Sequence, residues 1–338
     1  MSNNSKSNIL WQISISDKTV NDYLTGWLHF KLKNQPFERL IQHGIPNYGL
    51  RLRPFLLKVA YERKGRMFSD VLPVAAAIEL IQLSTLVIDD FLDNSKLRNG
   101  KVSVFAKWGP KYSVTAGIIM ESEALSLLSE SFAQSKKLRN PLIAIALLQQ
   151  THSSIYAGQF KDLKNVGRVS VDESEYMTTI SATTGKFIQT SLVIGALLRN
   201  ASPVVISVLE EAGHKLGLAY QLRDDVIDLI GSTKYTGKPF AGDVRERKMR
   251  LPVIHAVKKL RGHKRTRLVR LYQLGRLLTD AEVQEAVDLL DAGGAVEYVI
   301  GKTKGLCNNA TESVRKLPRS EESLADKLTA IAGLISNF

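Results

Sequence analysis

The sequence predicts an all-α protein, built as a single large bundle of roughly a dozen helices. Apolar residues recur at helical spacing along almost the whole chain, whereas alternating strand patterns with paired turn signals are missing. Only 10 prolines occur in 338 residues, which suits long helices because proline interrupts them. In such bundles, sites are built from side chains on facing helices.

The apolar periodicity assigns the helices in chain order. Helices are predicted over residues 71–91, 112–132, 141–157, 176–198, 203–230, 251–260, 282–290, 296–309 and 321–335. Breaks are predicted at residues 34–46, 94–109, 135–141, 164–171 and 232–250.

Length and composition favour one domain over residues 1–338, with residues 1–20 as a flexible or peripheral segment. A hydrophobic content of 44% is ample for a buried core. The single cysteine, Cys307, excludes a disulfide framework and fits a reducing compartment. The polar start lacks a secretory signal, and no apolar run approaches a membrane span. We expect a cytoplasmic location.

The net charge of +13 permits attraction to phosphates, nucleic acid or anionic membrane surfaces. Basic residues are spread out, with modest clusters at 245–250 and 258–267. No nucleic-acid motif accompanies them, so we expect phosphate attraction and no nucleic-acid partner. Peripheral contact with an anionic membrane surface is compatible with this charge.

Two clusters of three aspartates lie inside apolar helical segments. They are Asp89, Asp90 and Asp93 in LVIDDFLD, and Asp224, Asp225 and Asp228 in YQLRDDVIDLIG. In each cluster the first and last carboxylates are four residues apart, hence on one helix face, one turn apart. Like charges so placed repel each other, and unpaired charge in apolar surroundings is costly.

Hard divalent cations with oxygen ligands neutralise such clusters, and Mg²⁺ is usually shared between one or two carboxylates and a substrate phosphate. Two facing helices of this kind are predicted to clamp a polyphosphate through bridging metals. The alternative is a solvated helix face or a cap. The breaks at 94–109 and 232–250 follow the clusters directly, and their Lys, Arg and Gly residues suit lids over bound phosphates.

With both clusters placed, the chain resembles the trans-isoprenyl diphosphate synthases (polyprenyl synthetase family) over residues 46–252. The clusters resemble the two aspartate-rich motifs of that family. The other matches follow in the family's order: RLRP at 51–54, ELIQ at 79–82, GQFKDL at 158–163 and GKPFAGDVRERKMRLP at 237–252. Each piece is weak alone, but the ordered set is specific. The resemblance implies the isoprenoid synthase fold around a central cavity, and a homodimer.

The resemblance also implies a Mg²⁺-dependent enzyme acting on an allylic prenyl diphosphate. Typically three Mg²⁺ ions, for which Mn²⁺ can substitute, bridge both motifs to the diphosphate. Asp89, Asp93 and Asp224 are then the principal ligands, while Asp90, Asp225 and Asp228 bind metal or support the ligands. Ionisation of the C–O bond leaves an allylic carbocation, and metals and cations stabilise the departing diphosphate.

Several further residues are implied on the allylic diphosphate side. They are Arg98, Gln159, Asp162, Thr184, Lys186, Lys238 and Lys248. Thr183 stands where the family has a lysine, and Lys186, nearly one turn on, is placed to compensate. For Lys238 and Lys248 the alternative is that they are exposed loop cations.

The chain departs from the family where a second diphosphate, isopentenyl diphosphate, binds. The resemblance assigns Arg51, Arg53 and Gln82 to that side, but Leu50 and Asn99 replace two phosphate-binding cations. Each charge-assisted contact is worth about 1.5–3 kcal/mol. Losing two predicts binding weaker by about two orders of magnitude or more.

Three functions fit these features. The first is a chain-elongating synthase that makes geranylgeranyl or longer diphosphate. The second is a terpene synthase, or a prenyltransferase to another acceptor, on the same scaffold. The third is a non-catalytic regulatory subunit of a prenyl synthase, against which the intact aspartate clusters argue.

Product length is predicted to depend on Ser84 and Thr85, five and four residues before Asp89. One helical turn deeper on the same helix, they are expected to line the cavity beneath the metal site. In this family small residues near this depth let the tail pass, so geranylgeranyl or longer tails should fit. The alternative is that both residues face a neighbouring helix and pack there.

Overall fold

The structure is a computed structural model that describes residues 3–45, 51–231 and 240–338. Leu50 and Lys238, both named in the sequence analysis, lie outside these residues. The predicted all-α class is confirmed over the described residues. Their only strands are two short ones, of two residues each, which form a single hairpin.

The first helices run as follows: α1 Asn3–Leu32, α2 Glu38–Gly44, α3 Leu52–Tyr61, α4 Phe68–Leu92, α5 Val104–Trp108 and α6 Pro110–Gln134. Between α4 and α5, β1 (Leu97–Arg98) pairs antiparallel with β2 (Lys101–Val102). Asn99 and Gly100 form the two-residue turn, with φ of 50° and 75°. An Asn-Gly pair with both φ values positive is the preferred type of hairpin turn.

The later helices complete the chain. They are α7 Pro141–Asn165, α8 Glu173–Ile180, α9 Lys186–Leu198, α10 Pro203–Ile230, α11 Gly242–Arg245, α12 Leu251–Lys259, α13 Gly262–Tyr272, α14 Asp280–Ala292, α15 Ala295–Val314 and α16 Glu322–Ile335. A π-helical segment, Ser181–Gly185, joins α8 to α9, and a 3₁₀ turn, Arg319–Glu321, precedes α16.

The Cα packing divides the chain into two compact units. Unit 1 comprises residues 1–149, 190–210 and 317–330, and unit 2 comprises residues 150–189, 211–316 and 331–338. A single domain over 1–338 stays a prediction.

In unit 1, α4 is the central element and packs against α1, α3, α5 and α6. It is apolar and long enough to cross a membrane, with a mean hydropathy of 2.0 in its most apolar window. Because 67% of that window is buried within the protein, α4 has the character of a core helix. Residues 3–20 differ from the expected flexible or peripheral segment, because they belong to α1, which buries Ile9, Ile13 and Val20.

Unit 2 has an apolar core to which α8, α10 and α12–α15 contribute. The helices α12, α14 and α15 pack against one another there, and α8 packs against α12. Tyr176 and Tyr272 are among its largest fully buried side chains. Both α10, which carries the second aspartate cluster, and residues 241–249 pack into this core.

A buried charge network joins α1, α3 and α4 in unit 1. Arg51, the residue before α3, is 4% exposed and lies 2.7 Å from Glu79 on α4 and 3.0 Å from Asp17 on α1. It also donates to the Ile45 carbonyl at 2.7 Å. Burial raises the pKa of Glu79 to about 7 against the opposing charge of Arg51. One guanidinium therefore serves two carboxylates.

Replacing Arg51 with methionine should destabilise the protein by about 3–5 kcal/mol, because the buried Glu79 would lose its paired cation. The free energy of unfolding is measured in urea. Arg39→Met, at an exposed position on α2, is the control and should change stability by less than about 0.5 kcal/mol. Equal stability of Arg51→Met and Arg39→Met would show that the network contributes nothing to the fold.

Candidate active site

The first aspartate cluster ends α4 in unit 1. Asp89 and Asp93 are half-buried, and the Asp93 N–H donates to the Asp89 carbonyl at 2.8 Å to end the helix. Asp90 is fully buried. The β1–β2 hairpin brings Arg98 back onto it, with Nη2 and Nε 2.6 and 2.9 Å from Oδ1. The hairpin turn thus determines the geometry of the cluster.

The second cluster lies near the end of α10 in unit 2. Asp224 is exposed, whereas Asp225 is 2% exposed. Asp225 accepts hydrogen bonds from the hydroxyl of Tyr176 on α8 and from Gln221 Nε2, the latter at 3.2 Å. Burial is the main cause that raises the pKa of Asp225 to about 7.

Asp228, the last member of this cluster, contacts the backbone that follows α10 in the described structure. Its two carboxylate oxygens accept from the N–H groups of Gly242 and Asp243 at 3.2 and 3.0 Å. Its own carbonyl accepts from Ala241 at 3.1 Å. The Asp228 carboxylate therefore binds the first backbone N–H groups of α11 and holds the start of that helix in place.

The two clusters share one design. In each, the first aspartate reaches solvent and the second is buried and held by a side chain of the same unit. The assignment of Asp89, Asp93 and Asp224 as principal metal ligands, and of the other aspartates as supporting residues, stays a prediction. The particular partners, Arg98 and Tyr176, could not be assigned from the sequence.

The donor set suits a hard divalent cation. Asp89 and Asp93 present carboxylate oxygens one turn apart, and oxygen is the ligand that Mg²⁺ prefers. Within the described residues, no three His, Cys, Asp or Glu side chains gather into a metal cage. An incomplete protein coordination sphere is usual for Mg²⁺, which keeps positions for water and substrate phosphate.

The GQFKDL segment lies on α7. Gly158 lies close to the π-helical segment, since a Cβ there would lie 2.5 Å from Thr183 Cγ2 and would force that side chain to move. Asp162 is paired with Arg250, whose Nη1 lies 2.8 Å from its Oδ1, and Arg250 Nε also binds Asp243 at 2.9 Å. Sequence reasoning did not single out Arg250 or Asp243.

Lys248 is 8% exposed and lies 2.9 Å from Glu246 and 3.6 Å from Asp243. It is therefore not the exposed loop cation that was the alternative. Gln159 and Lys186 are both half-buried in unit 2. Their contact with a diphosphate stays a prediction.

The π-helical segment connects Thr184 to the second cluster. Thr184 donates to Gln221 Oε1 at 2.7 Å, and Gln221 in turn donates to Asp225. The extra residue in such a turn is often found at functional sites. His214 on α10 lies 2.7 Å from Ser181 Oγ, and burial together with Lys186 lowers its pKa.

The residues assigned to the second substrate lie in unit 1. Arg51 is committed to the buried network with Asp17 and Glu79. Arg53 on α3 is half-buried, and its charge also acts on Glu79. Gln82 is half-buried and lies about one turn after Glu79 on α4.

The two residues of the predicted length gate differ in their surroundings. Ser84 is fully buried and donates to the Ile81 carbonyl at 2.7 Å and to Glu121 on α6 at 3.3 Å. It thus faces a neighbouring helix, which was the packing alternative. Thr85 is 9% exposed and donates to the Gln82 carbonyl at 2.8 Å.

An all-helical protein with two DDxxD clusters of this construction falls in the class that has the isoprenoid synthase fold. The chain belongs to the polyprenyl synthetase family, whose model matches residues 34–290. The predicted family and fold are therefore confirmed.

Two curated relatives illustrate the similarity. The short chain isoprenyl diphosphate synthase of Methanocaldococcus jannaschii is 35% identical over 251 residues, 74% of each chain. The geranylgeranyl diphosphate synthase of Mycobacterium tuberculosis is 32% identical over 246 residues, 73% of this chain and 69% of that one. Among solved structures, the geranylgeranyl pyrophosphate synthetase of Pyrococcus horikoshii has a TM-score of 0.83 at 27% identity, covering 98% of this chain and 99% of the other.

Gly217 on α10 allows the close approach of the π-helical segment. A Cβ at Gly217 would lie 2.6 Å from Gly185 Cα and 2.9 Å from the Thr184 carbonyl oxygen. Gly217→Ala should therefore destabilise the protein by about 1–3 kcal/mol through overpacking.

The matched control is Gly301→Ala on α15, where a Cβ meets nothing within 4 Å. That substitution should stabilise the helix by about 0.5–1 kcal/mol, because alanine loses less backbone entropy than glycine. Urea unfolding measures both changes. Stabilisation of similar size by the two substitutions would contradict the close approach.

Proposed function

We propose that the protein is a Mg²⁺-dependent, chain-elongating trans-prenyltransferase that condenses an allylic prenyl diphosphate with isopentenyl diphosphate. Membership of the polyprenyl synthetase family supports this activity. The observation that carries the metal dependence is the shared construction of the two aspartate clusters, with one accessible and one locked carboxylate each.

The chain's own groups have separate tasks in this proposal. Asp89, Asp93 and Asp224 hold the metal ions, and Asp90, Asp225 and Asp228 keep those ligands in place. Bound Mg²⁺ supplies Lewis-acid stabilisation of the charge on the departing diphosphate. Arg98, Lys186, Lys238 and Lys248 add fixed positive charge around the same oxygens.

Gln159, Asp162 and Thr184 orient these groups. Asp162 acts through its pair with Arg250, and Thr184 acts through Gln221 on Asp225. A polar network of this kind holds charged groups in place before substrate arrives, so that less reorganisation is needed during reaction.

Elongation is favoured over the two alternatives. Curated relatives are named as short chain isoprenyl, geranylgeranyl and geranylfarnesyl diphosphate synthases. The replacement of a cation by Asn99 has a local explanation, since asparagine is well suited to the positive φ of 50° at this turn. Arg53 and Gln82 remain for isopentenyl diphosphate, and Arg51 supports them from the buried network.

The proposed products are geranylgeranyl diphosphate or longer chains. The small side chain of Thr85 supports a long tail, whereas Ser84 packs against α6, and the relatives named above include synthases of comparable products. The proposed metal complement of the two aspartate clusters is three Mg²⁺ ions, for which Mn²⁺ can substitute.

A homodimer is part of the proposal. The exposed face of α6 carries Ile118 and Leu125, seven residues apart and 58% and 40% exposed. Small hydroxyl residues lie between and beside them, so this stripe can meet a second helix closely. Sedimentation equilibrium tests the assembly.

We place the enzyme in the cytoplasm, peripheral to membranes that accept its long products. The buried Cys307, whose pKa burial raises to about 12, is suited to a reducing compartment as an inert core residue. The exposed basic residues of α13 and the net charge of +13 support contact with anionic membrane surfaces.

The direct test incubates the purified protein with Mg²⁺ and each allylic diphosphate, with and without isopentenyl diphosphate. Mass spectrometry of the products should show elongated diphosphates only when isopentenyl diphosphate is present. Release of a terpene hydrocarbon or alcohol without it would favour the cyclase alternative, and no turnover would favour the regulatory subunit.

Substitution of a principal ligand should abolish most activity. Asp89→Ala or Asp224→Ala should lower kcat by about 10³-fold or more, since metal stabilisation of the leaving group is worth several kcal/mol. Steady-state kinetics at saturating Mg²⁺ measures the loss. Asp326→Ala, at an exposed position on α16, is the control and should keep full activity. A folded Asp89→Ala enzyme with near-normal turnover would refute the metal clamp.

The length gate is tested by two phenylalanine substitutions on adjacent residues of α4. Thr85→Phe should shorten the product distribution, because the ring would block the cavity one turn below Asp89. Ser84→Phe should instead cost about 1–3 kcal/mol of stability, because Ser84 is buried against α6. Product lengths and melting temperatures are measured for both. Unchanged products from a well-folded Thr85→Phe enzyme would place the gate elsewhere.

A further inference from the structure

A polar cavity of about 370 Å³ lies in unit 1, apart from the residues discussed above. It is lined by four cationic side chains, Arg63, Lys64, Arg66 and Arg199, and by one carboxylate, Glu321. The lining therefore carries a formal charge of +3. Its volume is at the lower end of the range of about 300–1,000 Å³ found for small-molecule sites.

The floor of the cavity is a buried ion pair. Arg199 is 7% exposed, and its Nη1 and Nη2 each lie 3.0 Å from a different oxygen of Glu321. Arg199 Nε donates to the Ala60 carbonyl at 2.6 Å. These contacts hold the guanidinium rigidly, with its charge balanced by a single carboxylate that Arg63 also shares at 2.7 Å.

The rim is a tight turn, Arg63-Lys64-Gly65-Arg66, between α3 and α4. Its ends are closed by two backbone hydrogen bonds of 3.2 and 2.8 Å between Arg63 and Arg66. Gly65 has φ of 79°, a conformation that glycine adopts without strain. The three non-glycine residues of this turn, Arg63, Lys64 and Arg66, are thus presented as cations on a rigid support.

Arg63 shares the Glu321 carboxylate, but the other two rim cations, Lys64 and Arg66, have no ion pair among the residues that the structure describes. Arg66 donates to the Tyr61 hydroxyl at 3.4 Å and to the Lys137 carbonyl, which are both uncharged groups. Lys64 is exposed and makes no ion pair or hydrogen bond with any residue that the structure describes. The cavity therefore holds positive charge in excess of what its own carboxylate balances.

The side chains of Asn200 and Ser202, just before α10, add neutral donor groups beside these cations. Asn200, Ala201 and Ser202 line the cavity directly before Pro203, the first residue of this 28-residue helix. The positive end of a helix dipole favours anions, and phosphate is a common ligand there.

The cavity is separate from the first aspartate cluster. Arg66 precedes the start of α4, whereas Asp89 and Asp93 lie at its far end. A helix of 25 residues is about 37 Å long at a rise of about 1.5 Å per residue. A ligand in the cavity would therefore not share the metals proposed at Asp89.

We propose that this cavity is a second anion site that binds a phosphate group, distinct from the substrate diphosphate at the first aspartate cluster. Three of its four cations are arginines, whose planar forks match phosphate oxygens in pairs. An excess of three positive charges suits a multiply charged anion. The phosphate group belongs either to a small free metabolite or to the headgroup of an anionic lipid.

The test titrates inorganic diphosphate into the ¹⁵N-labelled full-length protein in EDTA, and follows the amide signals of Gly65 and Ser202. Without metal the aspartate clusters repel the anion, and the two amides report on this cavity alone. Saturable shifts of both signals are expected. Lys64→Glu should raise the Kd by about tenfold or more, since a charge-assisted contact is replaced by repulsion.

Lys33→Glu, which makes the same charge change at an exposed position of unit 1, is the matched control and should leave the Kd within about twofold. Arg66→Gln serves as a second variant if Lys64→Glu fails to fold. A parallel co-sedimentation with phosphatidylglycerol vesicles separates the two sources of phosphate. Vesicle binding that Lys64→Glu weakens and Lys33→Glu does not would assign a lipid headgroup.

Saturable diphosphate binding without a Lys64-dependent vesicle response would assign a free phosphorylated metabolite. The proposal is overturned if the Gly65 and Ser202 signals do not shift and vesicle binding is indifferent to Lys64. It is equally overturned if Lys64→Glu and Lys33→Glu weaken binding to the same extent.

Discussion

Clustered aspartates in apolar helices are the constraint on which the rest of this structure depends. Three carboxylates within five residues repel one another, and burial makes each uncompensated charge more costly. In both clusters the protein places the second aspartate inside and satisfies it locally, so that the first can reach solvent. The surrounding turns and helices are arranged around that requirement.

The two clusters meet the requirement by different chemistry. Asp90 receives a cation, Arg98, which the β1–β2 hairpin returns to the end of α4. Asp225 accepts hydrogen bonds from two neutral donors, Tyr176 and Gln221, and burial raises its pKa to about 7 against the opposing charge of Arg250. The first cluster is thus stabilised by a residue of the short β1–β2 hairpin. The second is stabilised by α8 and, through Gln221, by the π-helical segment.

Much of the fold could be predicted from periodicity, because long amphipathic and buried helices leave a clear pattern. The segment 203–230 was predicted with the bounds that α10 has. By contrast, α1 was not predicted, because polar residues surround its buried Ile9, Ile13 and Val20. The helix α13 was not predicted either, because its many basic residues obscure the apolar pattern.

At the site, the aspartates could be found from spacing alone, since four-residue intervals determine a helix face. The partner of Asp225 could not, because Tyr176 lies 49 residues away in the sequence, and neither could the pair of Asp162 with Arg250, which are 88 residues apart. The orientation of Ser84 toward Glu121 likewise depends on where α6 packs, which spacing within α4 does not encode. Contacts between residues that are far apart in the sequence cannot be predicted from the spacing of residues within one helix.

The π-helical segment has a consequence for how this chain can vary. A π turn holds one residue more than an α turn, so losing a residue from Ser181–Gly185 would convert it to regular helix. Such a deletion would leave α8 and α9 nearly in register, because the π turn already accommodates its extra residue within one turn. The wide turn that packs beside Gly217, with Gly185 Cα and the Thr184 carbonyl, would be lost instead. A change of length in this stretch would therefore alter the surroundings of Thr184 without redirecting the helix that follows.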